Sequence, residues 1–118
     1  MEAHKQAWIK VNAPVDTNIA PLVSILSAVE GLETTESCQG DPNRDTPAYV
    51  YFWYGDWQTI SQFSFGVIAQ AISEIEDAAI AVEVFNNSQP RAKLSVRASA
   101  LPQLISALKP MGAVHMRG

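Results

Sequence analysis

Cysteine is nearly missing from this chain. Cys38 stands alone, so no internal disulfide can staple the fold. Histidine is almost as scarce, with His4 and His115 near the two ends. One cysteine and two histidines, without a spacing such as His-x-x-x-His, offer a metal no ligand set, and none is expected. No stretch approaches the roughly 18 consecutive apolar residues of a membrane span. Met1-Glu2-Ala3-His4-Lys5 is not followed by the apolar run of a signal peptide. A lone thiol and no export signal make the cytoplasm the expected compartment. Gly-x-Gly-x-x-Gly, His-Glu-x-x-His and a Ser-His-Asp order are also absent, which removes the dinucleotide, zinc-protease and serine-hydrolase patterns.

What is present suits one domain spanning residues 1–118, with 47% apolar residues to build a core. The net charge of −4 gives no attraction for nucleic acid or anionic membrane, and neither is expected as a partner. The charge is unevenly spread. Nine acids and one base, Arg44, fall between Glu30 and Asp77, whereas Arg91, Lys93, Arg97, Lys109 and Arg117 follow with no acid among them. Either the two regions neighbour and compensate each other, or the basic third meets an anionic ligand or an acidic partner.

Gln6 to Asn12 alternates, with Ala7, Ile9 and Val11 on one side, as in a half-buried strand that Pro14 ends. Ile19, Leu22, Val23, Leu26 and Val29 keep helical spacing and predict a helix over about 18–30, capped by Asp16 or Asn18 and stopped by Gly31. Leu32 to Cys38 reads as a strand and Gln39 to Pro47 as a long loop. Ala48 to Tyr54, nearly all aromatic or β-branched, reads as a central strand covered on both faces. Asp56 can cap a helix over about 57–77 whose stripe is Ile60, Phe63, Val67, Ala71 and Ile75, with Gly66 tolerated by a close approach to the sheet. Ala79 to Phe85 and Arg91 to Ala98 form a hairpin about a turn at 86–90, with Lys93 and Arg97 near Glu83. Ser99 can cap a last helix that Pro110 and Gly112 end. The order β-α-β-β-α-β-β-α predicts an α+β fold. Its sheet is expected to be ferredoxin-like, extended by a C-terminal hairpin strand and helix, with the helices on one face.

Two segments could carry function. Ser37-Cys38-Gln39-Gly40 lies where a strand enters the long loop. There Cys38 is either a buried small residue or a thiol activated by a cation such as Arg44, His4 or His115. The backbone at Gly40, with donors from Ser37 and Gln39, could form an anion cradle. Ser37, Cys38, Gln39, Gly40 and Arg44 are therefore the candidate ligand-binding residues for a small or anionic molecule. The second segment is aromatic. Alternation places Tyr49, Tyr51 and Trp53 on one sheet face, where Trp8 of the first strand could join them. The row is core, a homodimer interface or a platform for stacking bases, and the acids around the strand count against the last.

Val15-Asp16, Ile19 to Val23, Gly31 to Thr34, Ser37 to Gly40 and Ala48 to Val50 are together similar to a family of small uncharacterised bacterial and phage proteins, over about the first half of the chain. That resemblance implies no activity. Thr35 to Gly40 is also similar to the Ser-Cys-x-Gly segment of the wybutosine-pathway tRNA methyltransferases, which would imply S-adenosylmethionine and tRNA; a basic residue follows the glycine in that pattern, and here Asp41 does. The expectation is a non-enzymatic ligand-binding or interaction module that self-associates through Trp8, Tyr49, Tyr51 and Trp53. The alternative is a cysteine-dependent or tRNA-modifying enzyme.

Overall fold

A computed structural model of the chain describes residues 6–8, 14–84 and 88–116. Its centre is a four-stranded antiparallel sheet of β3 (Leu32–Cys38), β4 (Pro47–Tyr54), β5 (Ala79–Glu83) and β6 (Arg91–Arg97), in the order β3-β4-β6-β5. The fold is α+β, as expected. The strand order departs from the expected one. Gln6–Trp8 (β1) pairs only with Pro14–Asp16 (β2), in a separate two-stranded ladder. Pro14 therefore opens a strand instead of ending one, a position proline tolerates because it has no N–H to give to a ladder. Residues 9–13, on which the rest of the expected first strand falls, lie outside the described residues. The central place next to β4 belongs to β6. Since β6 is antiparallel to both β4 and β5, those two run parallel with β6 between them.

Alternation along β4 and β6 decides where the core sits. Ala48, Val50, Phe52, Ala92, Leu94 and Val96 are buried under the helices. Tyr49, Tyr51, Lys93 and Ser95, one residue out of phase, are only half-buried. The expectation that β4 is covered on both faces is thus corrected: it is central, but covered on one.

Helix α1 (Ala20–Ser27) buries Leu22, Val23 and Leu26 between β3 and the last helix. It is shorter than expected. Asp16 is part of β2, Ile19 stands at the N-cap without a side-chain bond, and Asn18 donates its backbone N–H to Gln39 Oε1 at 2.9 Å. Gly31 takes the left-handed conformation that ends the following turn, at φ +87°.

The second helical rod starts as expected, with the Asp56 carboxylate accepting from the Thr59 N–H at 2.9 Å. It is not uniform. Trp57–Gln62 (α2) is α-helical, Phe63–Ile68 is π-helical, and Ala69–Ala71 (α3) completes it. A π segment adds one residue to a turn, so the buried phase slips by one. Ile68 and Ile72 are buried where Val67 and Ala71 were expected. Gly66 lies exposed in this segment, and a Cβ there would meet no atom within 4 Å, so a close approach to the sheet is not its reason. The rod stops at Ala71, six residues before the expected end, and turns hold Ile72 and Ile75 in the core.

The β5–β6 hairpin forms, but β5 ends at Glu83 and the connection is longer than five residues; residues 85–87 lie outside the described residues. Its register sets Glu83 opposite Arg91 and Lys93 opposite Ala81, which corrects the expected pairing of Glu83 with Lys93 and Arg97. A 3₁₀ turn, Ala98–Ala100, leads into α4 (Leu101–Met116), which buries Leu101, Leu104 and Leu108. Ser99 lies inside the turn and is not the cap. Pro110 and Gly112 sit within the helix instead of ending it. Pro110 removes the partner of the Ser106 carbonyl, and Ser106 is exposed, so water can take that place. Among the described residues no helix is long and apolar enough to cross a membrane.

Candidate functional site

The uncovered sheet face is an ordered array. Residues opposite each other in antiparallel strands share a face, so the register gives its rows. Glu33, Trp53, Arg91 and Glu83 form one row. Tyr51, Lys93 and Ala81 form the next, and Cys38, Tyr49, Ser95 and Ala79 the third. An aromatic column on β4 therefore lies beside a basic column on β6. The Arg91 guanidinium sits 3.9 Å over the Tyr51 ring, and Lys93 Nζ lies 5.2 Å from the Tyr49 ring and 5.6 Å from that of Tyr51. Acids close the array from both edges. Glu36, thrown toward this face by the bulge between Thr34 and Ser37, lies 3.7 Å from Arg91, and Glu83 lies 4.0 Å from it. Acidic and basic parts of the chain thus neighbour each other here, the first of the two arrangements the charge distribution allowed.

The expected interface residues fare differently. Tyr49 and Tyr51 are on this face, half-buried by their own neighbours, and Trp53 is 37% exposed. Trp8 is not in this sheet: its strand pairs with β2, and its side chain lies outside the described residues.

The loop after β3 is knitted to itself. Asp41 takes the Asn43 N–H on its carboxylate at 3.0 Å and the Thr46 N–H on its carbonyl at 3.2 Å, while its own N–H donates to Thr46 Oγ1 at 2.8 Å. Arg44 turns back to Asp41 at 3.8 Å. The far end of the loop caps α4, with the Asp45 carboxylate accepting from both the Ser99 N–H (3.2 Å) and the Ser99 hydroxyl (2.9 Å). These bonds, the backbone one first, hold the Asp45 carboxyl below its ordinary value, and Arg97 at 3.7 Å adds to them. Arg97 also pairs with Asp77, which is the main reason its guanidinium is held still more firmly protonated. Asp45 and Asp77 share a further property: both adopt positive φ, at 55° and 66°. One guanidinium therefore ties together two turns in a conformation that non-glycine residues rarely take.

The five residues expected to bind a ligand are not brought to one place. Ser37 faces the core side, opposite Val50, and Cys38 faces the open side, opposite Tyr49. Gly40 is explained by space. At φ +73° a Cβ would stand 2.6 Å from the Thr46 carbonyl oxygen and 2.9 Å from that of Pro47. Of the cations expected to serve Cys38, Arg44 is with Asp41, while His4 and the side chain of His115 lie outside the described residues. Among the described residues, no group of His, Cys, Asp and Glu could hold a metal ion.

Of the five, Gln39 lines a cleft. The cleft has a volume of about 490 Å³ and lies on the helix side of the sheet, between the loop, Asn18 and the first three turns of α4. Its α4 wall is a second stripe beside the core one. Pro102, Ile105, Ser106 and Lys109 follow the i, i+3, i+4, i+7 pattern of one helix face. That spacing is visible in the sequence, beside the stronger leucine stripe of the same helix. Comparison with family models, with curated proteins and with solved structures gave no match, so any functional reading rests on this geometry.

Proposed function

We propose that the protein is a non-enzymatic interaction module that pairs with a second copy of itself through the uncovered sheet face. The observation that carries this reading is the array of Tyr49, Tyr51 and Trp53 beside Arg91 and Lys93 on a face that the helices leave open. A free stacking platform for bases fits less well, because Arg91 and Lys93 already lie over the tyrosine rings. The array is self-complementary. A two-fold axis along the strands, between β4 and β6, would set the aromatic column of one copy over the basic column of the other, an isologous contact. The exposed alanines of β5, Ala79 and Ala81, would allow the two sheets to approach closely.

Light scattering on the eluting protein at tens of micromolar tests this. The expected result is a dimer mass, falling to the monomer mass in Trp53→Glu, which places a charge within the contact. A monomer for the unaltered chain sinks the proposal, and so does a Trp53→Glu dimer of unchanged affinity.

A further inference from the structure

We infer that the cleft between the 39–46 loop and α4 binds an amphipathic monoanion, a molecule with an apolar body and a single carboxylate. The inference does not depend on self-association, since the cleft lies on the opposite side of the sheet from the array. At about 490 Å³ the space falls within the 300–1,000 Å³ range of ligand pockets. One side is apolar. Leu101, Pro102 and Ile105 of α4 face Pro42 of the loop. Ile105 is half-buried beside the core, so a ligand would complete its burial. The other side offers Gln39, Ser106 and Lys109.

The charge balance sets the sign of the ligand. In a chain with an acidic excess of four, no aspartate or glutamate is among the described residues that line the cleft, and Lys109 is the one charged residue among them. Lys109 forms no ion pair among the described residues, unlike Arg44, Arg91 and Arg97. A cation would meet Lys109 unfavourably. A neutral apolar molecule would make no use of Lys109 and Ser106. A carboxylate placed against Lys109, with its hydrocarbon part toward Ile105 and Leu101, satisfies both ends. The Gln39 side chain is already oriented there, because its Oε1 accepts the Asn18 N–H.

The test uses the full chain, with octanoate as the probe and octan-1-ol as its uncharged counterpart, followed by amide chemical shifts. Octanoate should give saturable shifts confined to residues around Gln39 and from Ser99 to Lys109. Lys109→Gln should weaken octanoate by about three- to fivefold, as expected for loss of one exposed ion pair, and leave octan-1-ol within about twofold. Ile105→Trp should abolish both by filling the space; Ile105 and Lys109 are not among the buried residues, and an unchanged far-UV spectrum checks that each variant folds. Shifts that never saturate, or that map elsewhere, overturn the site. Octan-1-ol binding as tightly as octanoate, or octanoate indifferent to Lys109→Gln, overturns the anionic class. Light scattering on the same samples reports self-association separately.

Discussion

Replacing Gly40 by alanine should destabilise the protein by about 2–5 kcal/mol. The figure combines two terms. A side chain in the left-handed region loses roughly 1–2 kcal/mol. The new Cβ would also stand 2.6 Å and 2.9 Å from two backbone carbonyl oxygens and 3.0 Å from Ala98 Cβ. Backbone oxygens cannot rotate away, so the loop must shift against the start of α4, and overpacking of this kind costs about 1–3 kcal/mol. For a chain of this size the urea slope is about 1–3 kcal/mol/M, so the midpoint should fall by about 1–2 M. Gly66→Ala is the matched control. The same methyl enters open space in a helical, exposed position, and should leave stability unchanged or raise it by up to about 1 kcal/mol. Equal midpoints for the unaltered chain and Gly40→Ala would refute the close approach of the loop to Thr46, Pro47 and Ala98. Loss of stability in both variants would mean that the two glycines do not differ in the way the geometry says.

Ser64 is fully buried and its hydroxyl finds no hydrogen-bond partner among the described residues, so Ser64→Ala should raise thermal stability, by about 1 kcal/mol. The Asp45 and Asp56 carboxyls are both held below their ordinary value by hydrogen bonds to helix starts, Asp56 mainly by the Thr59 N–H. Their contribution is fully present above the unfolded value of about 3.9 and is lost as pH falls through the lower folded value; Asp45→Asn and Asp56→Asn should therefore each flatten the acid limb of a stability-pH curve below about pH 4. Cys38 faces the open side of the sheet and does not line the cleft, so Cys38→Ser should leave octanoate shifts unchanged, and a loss of binding would place the thiol where the register does not.

Local signals in the sequence carried far. Gly31, Asp56 and the alternation of β4 and β6 each act through a neighbour a few residues away, and each stands where the pattern put it. The strand order could not be read the same way. β1 and β6 both show strands with one wet face, and nothing in either says which will sit beside β4. The long alternating stretch Arg91 to Arg97 pairs over its whole length with β4 and from Arg91 to Ser95 with β5, whereas β1 keeps a three-residue ladder with β2. The candidate site failed for a related reason. Ser37 to Gly40 are consecutive, but a strand sends neighbours to opposite faces, so Ser37 and Cys38 cannot serve one pocket. The cleft is instead made by Gln39 and by residues of α4 some sixty positions later. Asp45, expected only as loop, is recruited to cap that same helix.

The helical rod shows how a correct period can still assign the wrong face. Ile60 and Phe63 keep the α period, and the pattern then continues to Val67 and Ala71 or, one residue later, to Ile68 and Ile72. The larger side chains win the core, and the π segment absorbs the extra residue. This has a consequence for deletion. Removing Gly66 should let the segment close as an ordinary α-helix while Ile68, Ile72 and Ile75 keep their buried positions, because the residue removed is the one the π turn accommodates. Removing Gln70, two residues beyond Ile68 in the α-helical part, should rotate Ile72 by about 100° away from the core and carry the turn that holds Ile75 with it. The Gly66 deletion is then expected to unfold at a urea midpoint close to that of the unaltered chain, and the Gln70 deletion far below it. Equal damage from both would mean that the π turn is not an inserted residue but a shape the sheet demands, and the phase slip would need another cause.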